Sequence, residues 1–192
     1  MKFAYADPPY LGCCRLYQHH HPDGLCWDNL DTHQLLIERL ADEYPDGWAL
    51  SCHTPSLRHL LPLCPDDVRV GAWVKPFHAY KKGVRPAYAW EPVIYRGGRN
   101  ANPPVPEKGG KAITPKDFLI ADLGDIDPPV VACNITLKKG LTGAKPELVC
   151  DWILNLLGFT PEDEIDDLYP GTGVMGRVVM QRQEPDLFGG VA

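Results

Sequence analysis

Two short stretches of the chain carry residue types suited to chemistry. In the first, "ADPPY" at residues 6–10, the Asp7 carboxylate can accept hydrogen bonds from an amino group. Pro8 offers a carbonyl oxygen while its ring holds the turn, and Tyr10 presents a flat face on which a planar base can stack. In the second, "DLYPGTGVMG" at residues 167–176, Gly171, Gly173 and Gly176 form a G-x-G-x-x-G pattern. Such a loop lets backbone approach a cofactor closely and directs a helix N-terminus at it. Each pattern alone is weak. The glycines suit a nicotinamide enzyme equally well, and "DIDPPV" at 125–130 repeats Asp-Pro-Pro without the aromatic, as a turn would. A third group, Cys13, Cys14, His19, His20, His21 and Cys26, has the residue types of a zinc site without the paired C-x-x-C spacing. A polar loop and no metal are expected there.

Strands must carry these motifs into place. Apolar runs of strand length at 2–6, 48–52, 68–74, 89–95 and 164–168 alternate with helical patterns. At 31–43, Asp31 followed by Gln34 reads as a helix start, with Leu35, Leu36 and Leu40 on one face. At 145–157, Pro146 suits the first turn, Leu148, Val149, Trp152, Ile153, Leu156 and Leu157 form a stripe, and Gly158 suits the stop. A third helix is expected after the glycines at 171–176. The pattern predicts an α/β fold, a mostly parallel sheet covered by helices on both faces. Asp7 then falls at the carboxyl end of a buried strand, where open α/β sheets place their ligands. Trp73, Trp90 and Trp152 lie in apolar patterns and read as core residues.

The chain has 192 residues, 44% of them hydrophobic, enough for one sizeable core. A single domain over 1–192 is expected, with a basic insert rich in proline and glycine near 97–117 and a short tail near 183–192. The sequence shows neither a leader pattern nor a long apolar run, so a cytoplasmic protein without a membrane partner is expected. Seven scattered cysteines read as reduced, mostly buried thiols. The net charge of −6 is uneven: between residues 68 and 116, ten basic residues face two acids. A basic face able to meet phosphates is consistent with that excess. Lys75 and Arg96, just beyond predicted strands, are the better phosphate candidates, ahead of Lys81, Lys82, Arg85, Arg99, Lys108 and Lys111.

Taken together, "DPPY", the glycine loop, the Lys145-Pro146 helix start and "WEPVIYRGG" at 90–98 resemble the amino-methyltransferases of DNA over most of the chain. The order, catalytic motif first and glycine loop last, is similar to the circularly permuted beta class. The resemblance implies a Rossmann-like methyltransferase domain that transfers the methyl group of S-adenosylmethionine to the exocyclic amine of a flipped base. It implies a catalytic role for Asp7, Pro8, Pro9 and Tyr10. It also implies cofactor contacts from Ala6, Asp7, Lys145, Pro146, Asp167, Tyr169, Gly171, Thr172 and Gly173. Within that resemblance an Asp-Pro-Pro-Tyr motif favours adenine N6; cytosine N4 and RNA adenine are the alternatives. Protein-amide methylation uses an Asn in place of Asp7, which argues against it.

The resemblance has a departure. Related proteins continue past the glycine loop through two more strands, and an acid at the end of the first holds the cofactor ribose. Here only "RVVMQRQEPDLFGGVA" follows, with Glu184 and Asp186 as substitute acids. The adenosine end of the pocket is then open or completed by a second copy in a homodimer, and a degenerate fold acting as a DNA- or protein-binding module is the competing reading. In the tail, "QEPDLF" loosely resembles peptides that bind the replication sliding clamp, with Gln183, Leu187 and Phe188 as anchors. Packing of Leu187 and Phe188 on the sheet edge is the simpler expectation.

Overall fold

The computed structural model describes residues 1–16, 24–75, 83–99, 117–120 and 144–184. Alternation along the first strand, β1 (Lys2–Ala6), divides the core in two. Successive side chains of a strand point to opposite faces. Phe3 and Tyr5 join one buried cluster and Ala4 and Ala6 the other.

Among the described residues, β1 lies inside a six-stranded sheet. It pairs in parallel with β2 (Gly47–Ser51) on one side and β6 (Glu164–Asp167) on the other. Beyond β2 come β4 (Trp90–Gly97), β3 (Arg69–Val74) and β5 (Phe118–Ile120), giving the order β5-β3-β4-β2-β1-β6. β4 is antiparallel to both its neighbours and the remaining pairings are parallel, so the expected mostly parallel sheet has one reversed strand. An antiparallel neighbour needs no crossover helix, whereas a parallel one does.

The helices cover both faces, as expected. α1 (Leu30–Glu43) and α2 (Thr54–Leu60) pack with Ala4, Ala6, Trp48, Leu50 and Ile94. α3 (Glu147–Leu157) and α4 (Val174–Gln183) pack with Phe3, Tyr5, Trp73 and Tyr95. Trp73 and Trp152 are core residues, while Trp90 is only half-buried. The close fit shows at Gly71, where an added Cβ would stand 3.0 Å from the Trp152 ring.

Local differences from expectation have local causes. α1 starts one residue early because the Asn29 side chain, not that of Asp31, caps it, accepting from the Asp31 amide at 3.0 Å. Pro146 is the N-cap of α3 with extended ψ, so the helix starts at Glu147, and Lys145 precedes it; Gly158 ends it at φ +63° as foreseen. α2 and β5 were not expected: seven and three residues are too short to show a period. Among the described residues no helix is long and apolar enough to cross a membrane.

Candidate active site

The two motifs are 160 residues apart and meet because β1 and β6 are parallel neighbours. Tyr5 pairs with Asp167, and the Leu168 amide donates to the Tyr5 carbonyl at 2.9 Å. The chain therefore leaves both strands at the same edge, with Asp7 beside the start of the glycine loop. Ala6 and Pro8 are buried; Asp7, Pro9 and Tyr10 are partly buried at the rim.

Lys145, arriving from the turn before α3, closes this end. Its Nζ donates to both Asp7 carboxylate oxygens at 2.7 Å and to the Tyr10 hydroxyl at 2.8 Å. The ammonium is 5.3 Å from the Tyr10 ring centre, past the hydroxyl end and in hydrogen-bonding position, not over the ring face. The Tyr10 hydroxyl has two acceptors within reach, Asp7 Oδ1 at 3.1 Å and Glu91 Oε2 at 3.2 Å. Burial first, and then the nearby Asp7 and Glu91 charges, push Tyr10 well above the ordinary phenol range, so the hydroxyl stays protonated and donates. Glu91, on reversed strand β4, also pairs with Lys75 and lies 3.8 Å from Lys145. Burial would raise its carboxyl, but the Lys145 and Lys75 charges outweigh that and hold it below its usual value. Two acids and two lysines thus alternate through a half-buried cluster.

The Tyr10 ring is backed by His53, stacked at 5.6 Å between centres and 14° between planes. His53 is the N-cap residue of α2 and is held through Nδ1 by the Ser56 hydroxyl at 2.6 Å. Neither Glu91 nor His53 was assigned a role from sequence. Glu91 lies within "WEPVIYRGG", but its residue type points to no partner until the sheet brings β4 beside β2, and nothing in the sequence pairs His53 with Tyr10.

At the neighbouring strand end, Gly171 and Gly173 adopt φ +46° and +70°, a region that penalises any Cβ; Gly173 is also the N-cap of α4. Gly176 has ordinary φ and open space where a Cβ would stand, so the third glycine of the pattern is not sterically required. Arg177 steadies the loop by donating to the Thr172 carbonyl at 2.8 Å. Burial raises the Asp167 carboxyl to about 6, with Asp7 adding to the rise and the Tyr169 amide opposing it. Tyr169 packs edge-on against Trp27 at 5.3 Å, behind the loop.

The basic candidates separate. Lys75 is turned inward onto Glu91 and the Trp73 ring. Arg96 pairs with Asp67 at 2.7 Å, and Arg99 donates from Nη2 to both oxygens of buried Asp163 at 2.8 Å. These three have internal partners in place of the open phosphate-facing position expected for them. Arg85 instead lines an open cleft of about 450 Å³ with Thr54, Tyr88 and Trp90. Lys81, Lys82, Lys108 and Lys111 lie outside the described residues, as do Asp186, Leu187, Phe188 and the three histidines. Among the described residues no group of three metal-ligating side chains gathers, and the six described cysteines form no disulfide, three of them being buried.

No protein-family model and no curated protein sequence matches the chain. Among solved structures it is similar to the crystal structure of the M1.HpyAVI–SAM complex, at 14% identity, a TM-score of 0.53, and coverage of 95% of this chain and 78% of that one. A second crystal structure of M1.HpyAVI aligns at 13% identity and a TM-score of 0.47, over 95% of this chain and 76% of that one. M1.HpyAVI is a DNA methyltransferase. The chain therefore has the α/β fold of the S-adenosylmethionine-dependent DNA methyltransferases, with a mixed sheet and helices on both faces.

Proposed function

We propose that the protein is an S-adenosylmethionine-dependent DNA methyltransferase acting on adenine N6. One observation carries the reading: the Asp7 carboxylate accepts two hydrogen bonds from a nitrogen cation, Lys145 Nζ, beside an aromatic ring and next to a left-handed glycine loop. A carboxylate so placed is suited to receive the N–H groups of a substrate amine.

The residues also fit the cofactor. Gly171 and Gly173 leave the backbone open to close approach, and the desolvated Asp167 carboxyl is an acceptor for an ammonium group. Bound there, S-adenosylmethionine supplies an electrophilic methyl on a sulfonium. Asp7 and the Pro8 carbonyl accept hydrogen bonds from the target amine, which draws its lone pair out of conjugation with the ring. Tyr10, backed by His53 on one face, offers its other face to the base. Positioning and electrostatics then supply the rate.

The test is methylation of a random-sequence duplex followed by single-molecule sequencing. N6-methyladenine is expected, and Asp7→Ala should lower label transfer from radiolabelled cofactor by more than about 100-fold. Modification of cytosine alone, or undiminished transfer by Asp7→Ala, would overturn the assignment. One observation favours the second reading, a binding module of degenerate fold: β6 ends the sheet among the described residues, with no strand beyond it to line the adenosine end. Calorimetric titration with S-adenosylmethionine separates the two, since absence of binding supports the module.

A further inference from the structure

We propose that Lys145 is a mobile counter-ion with two berths, Asp7 in the free protein and Glu91 once a substrate amine takes Asp7, and that Glu91 is the positioning residue that receives it. The inference rests on the proposed function for what displaces the lysine, and on geometry for where it goes.

The Lys145 side chain is only 8% exposed, so its ammonium needs an anion at all times. At present it holds both Asp7 oxygens, the acceptors that a target amine requires. Glu91 Oε2 is 3.8 Å away, and a shift of about 1 Å would bring the ammonium into hydrogen-bond range. Glu91 engages Lys75 through its other oxygen, Oε1. The Tyr10 hydroxyl can follow the move. It has one proton and two acceptors, Asp7 Oδ1 and Glu91 Oε2, at nearly equal distances, and it accepts from Lys145 between them. When Lys145 leaves Asp7 for Glu91, the hydroxyl proton is free to turn to Asp7, so every polar atom keeps a partner in either state. An ammonium fixed on Asp7 would compete with the substrate; one with a second berth yields to it.

Two shared acceptors predict a particular non-additivity. Thermal unfolding is measured for Asp7→Asn, Glu91→Gln and the pair, each with Lys145 present or replaced in a Lys145→Met background. With the lysine present, either single change leaves it one of these two carboxylates, and the pair removes both. The double variant should lose more than about 5 °C beyond the sum of the singles, and the excess should vanish with Lys145→Met. A double variant that fails to fold while the triple variant folds counts as the same excess. Additive losses, or an excess that persists without the lysine, would overturn the two-berth arrangement. Methyl transfer at saturating cofactor gives the second arm. Glu91→Gln should fall at least about tenfold, and adding Lys145→Met should recover part of the loss, which a merely structural role for Glu91 would not allow. No recovery would overturn the gating role. If the wild-type protein transfers no methyl group while the unfolding excess is present, the methyltransferase reading fails and the two berths stand.

Discussion

Asp167 shows what a single displaced titration does. Burial raises its carboxyl to about 6, so in the fold it resists ionising at a pH where the unfolded chain's aspartates are already charged. The sign follows: the group costs the fold stability as pH rises from about 4 to about 6, and that cost is complete above it. A bound cation would reward the ionised form. If the cofactor's ammonium sits on Asp167, its Kd is flat between pH 7 and 8 and weakens toward tenfold per unit below about pH 6, as read by calorimetry. Asp167→Asn should flatten that profile, weaken binding and raise Tm at pH 7.5. At this scale the sequence was legible where chemistry follows from residue type: Asp7, Tyr10 and the two left-handed glycines stand where the motifs suggest. The partners of those residues were not legible. Glu91, His53 and the inward turn of Lys75 depend on which strands are neighbours, and residue type is silent on that.

At the scale of elements, one buried acid ties three together. Asp163, 2% exposed in the turn before β6, receives the Met1 ammonium at 2.7 Å, the Arg99 guanidinium beyond β4 at 2.8 Å, and the Thr160 amide at 2.8 Å. Burial alone would raise this carboxyl; the hydrogen bonds from the Met1 amine, Arg99 and Thr160 hold it well below the carboxylate range. A lowered acid contributes stability above its unfolded value near 4, and that stability is lost as pH falls through the folded value. Asp163→Asn should therefore cost roughly 3 kcal/mol, a fall in Tm of about 6–12 °C at pH 7, with the difference from wild type shrinking below pH 4. Helices with a full stripe, such as α3, were readable from their period, and so were β1, β2, β3, β4 and β6, each of four residues or more. α2 and β5 were not, because their stability comes from the surfaces they cover and not from a pattern of their own.

For the whole molecule, the proposed function raises the question of how an acidic chain of net charge −6 would meet DNA. Lys75, Arg96 and Arg99 are held in ion pairs, so on the proposed function the phosphate contacts fall to Arg85 and to the sequence-predicted lysines of the basic insert. Fluorescence anisotropy with a duplex should show Lys108→Gln plus Lys111→Gln lowering the slope of log K against log salt by about 2, while Lys75→Gln leaves it unchanged. The sequence by itself determined five of the six described strands and the motifs that follow β1 and β6, because alternation, apolar runs and glycine preferences are local. Only the tertiary structure decided that β1 and β6 are parallel neighbours, that β4 is reversed, and that Lys145 reaches Asp7 across 138 positions of chain. Those outcomes come from packing two cores against one sheet, a balance among surfaces distant in sequence that no local stretch encodes. The sequence supplied "DPPY", and the fold supplied the lysine that pairs with its carboxylate.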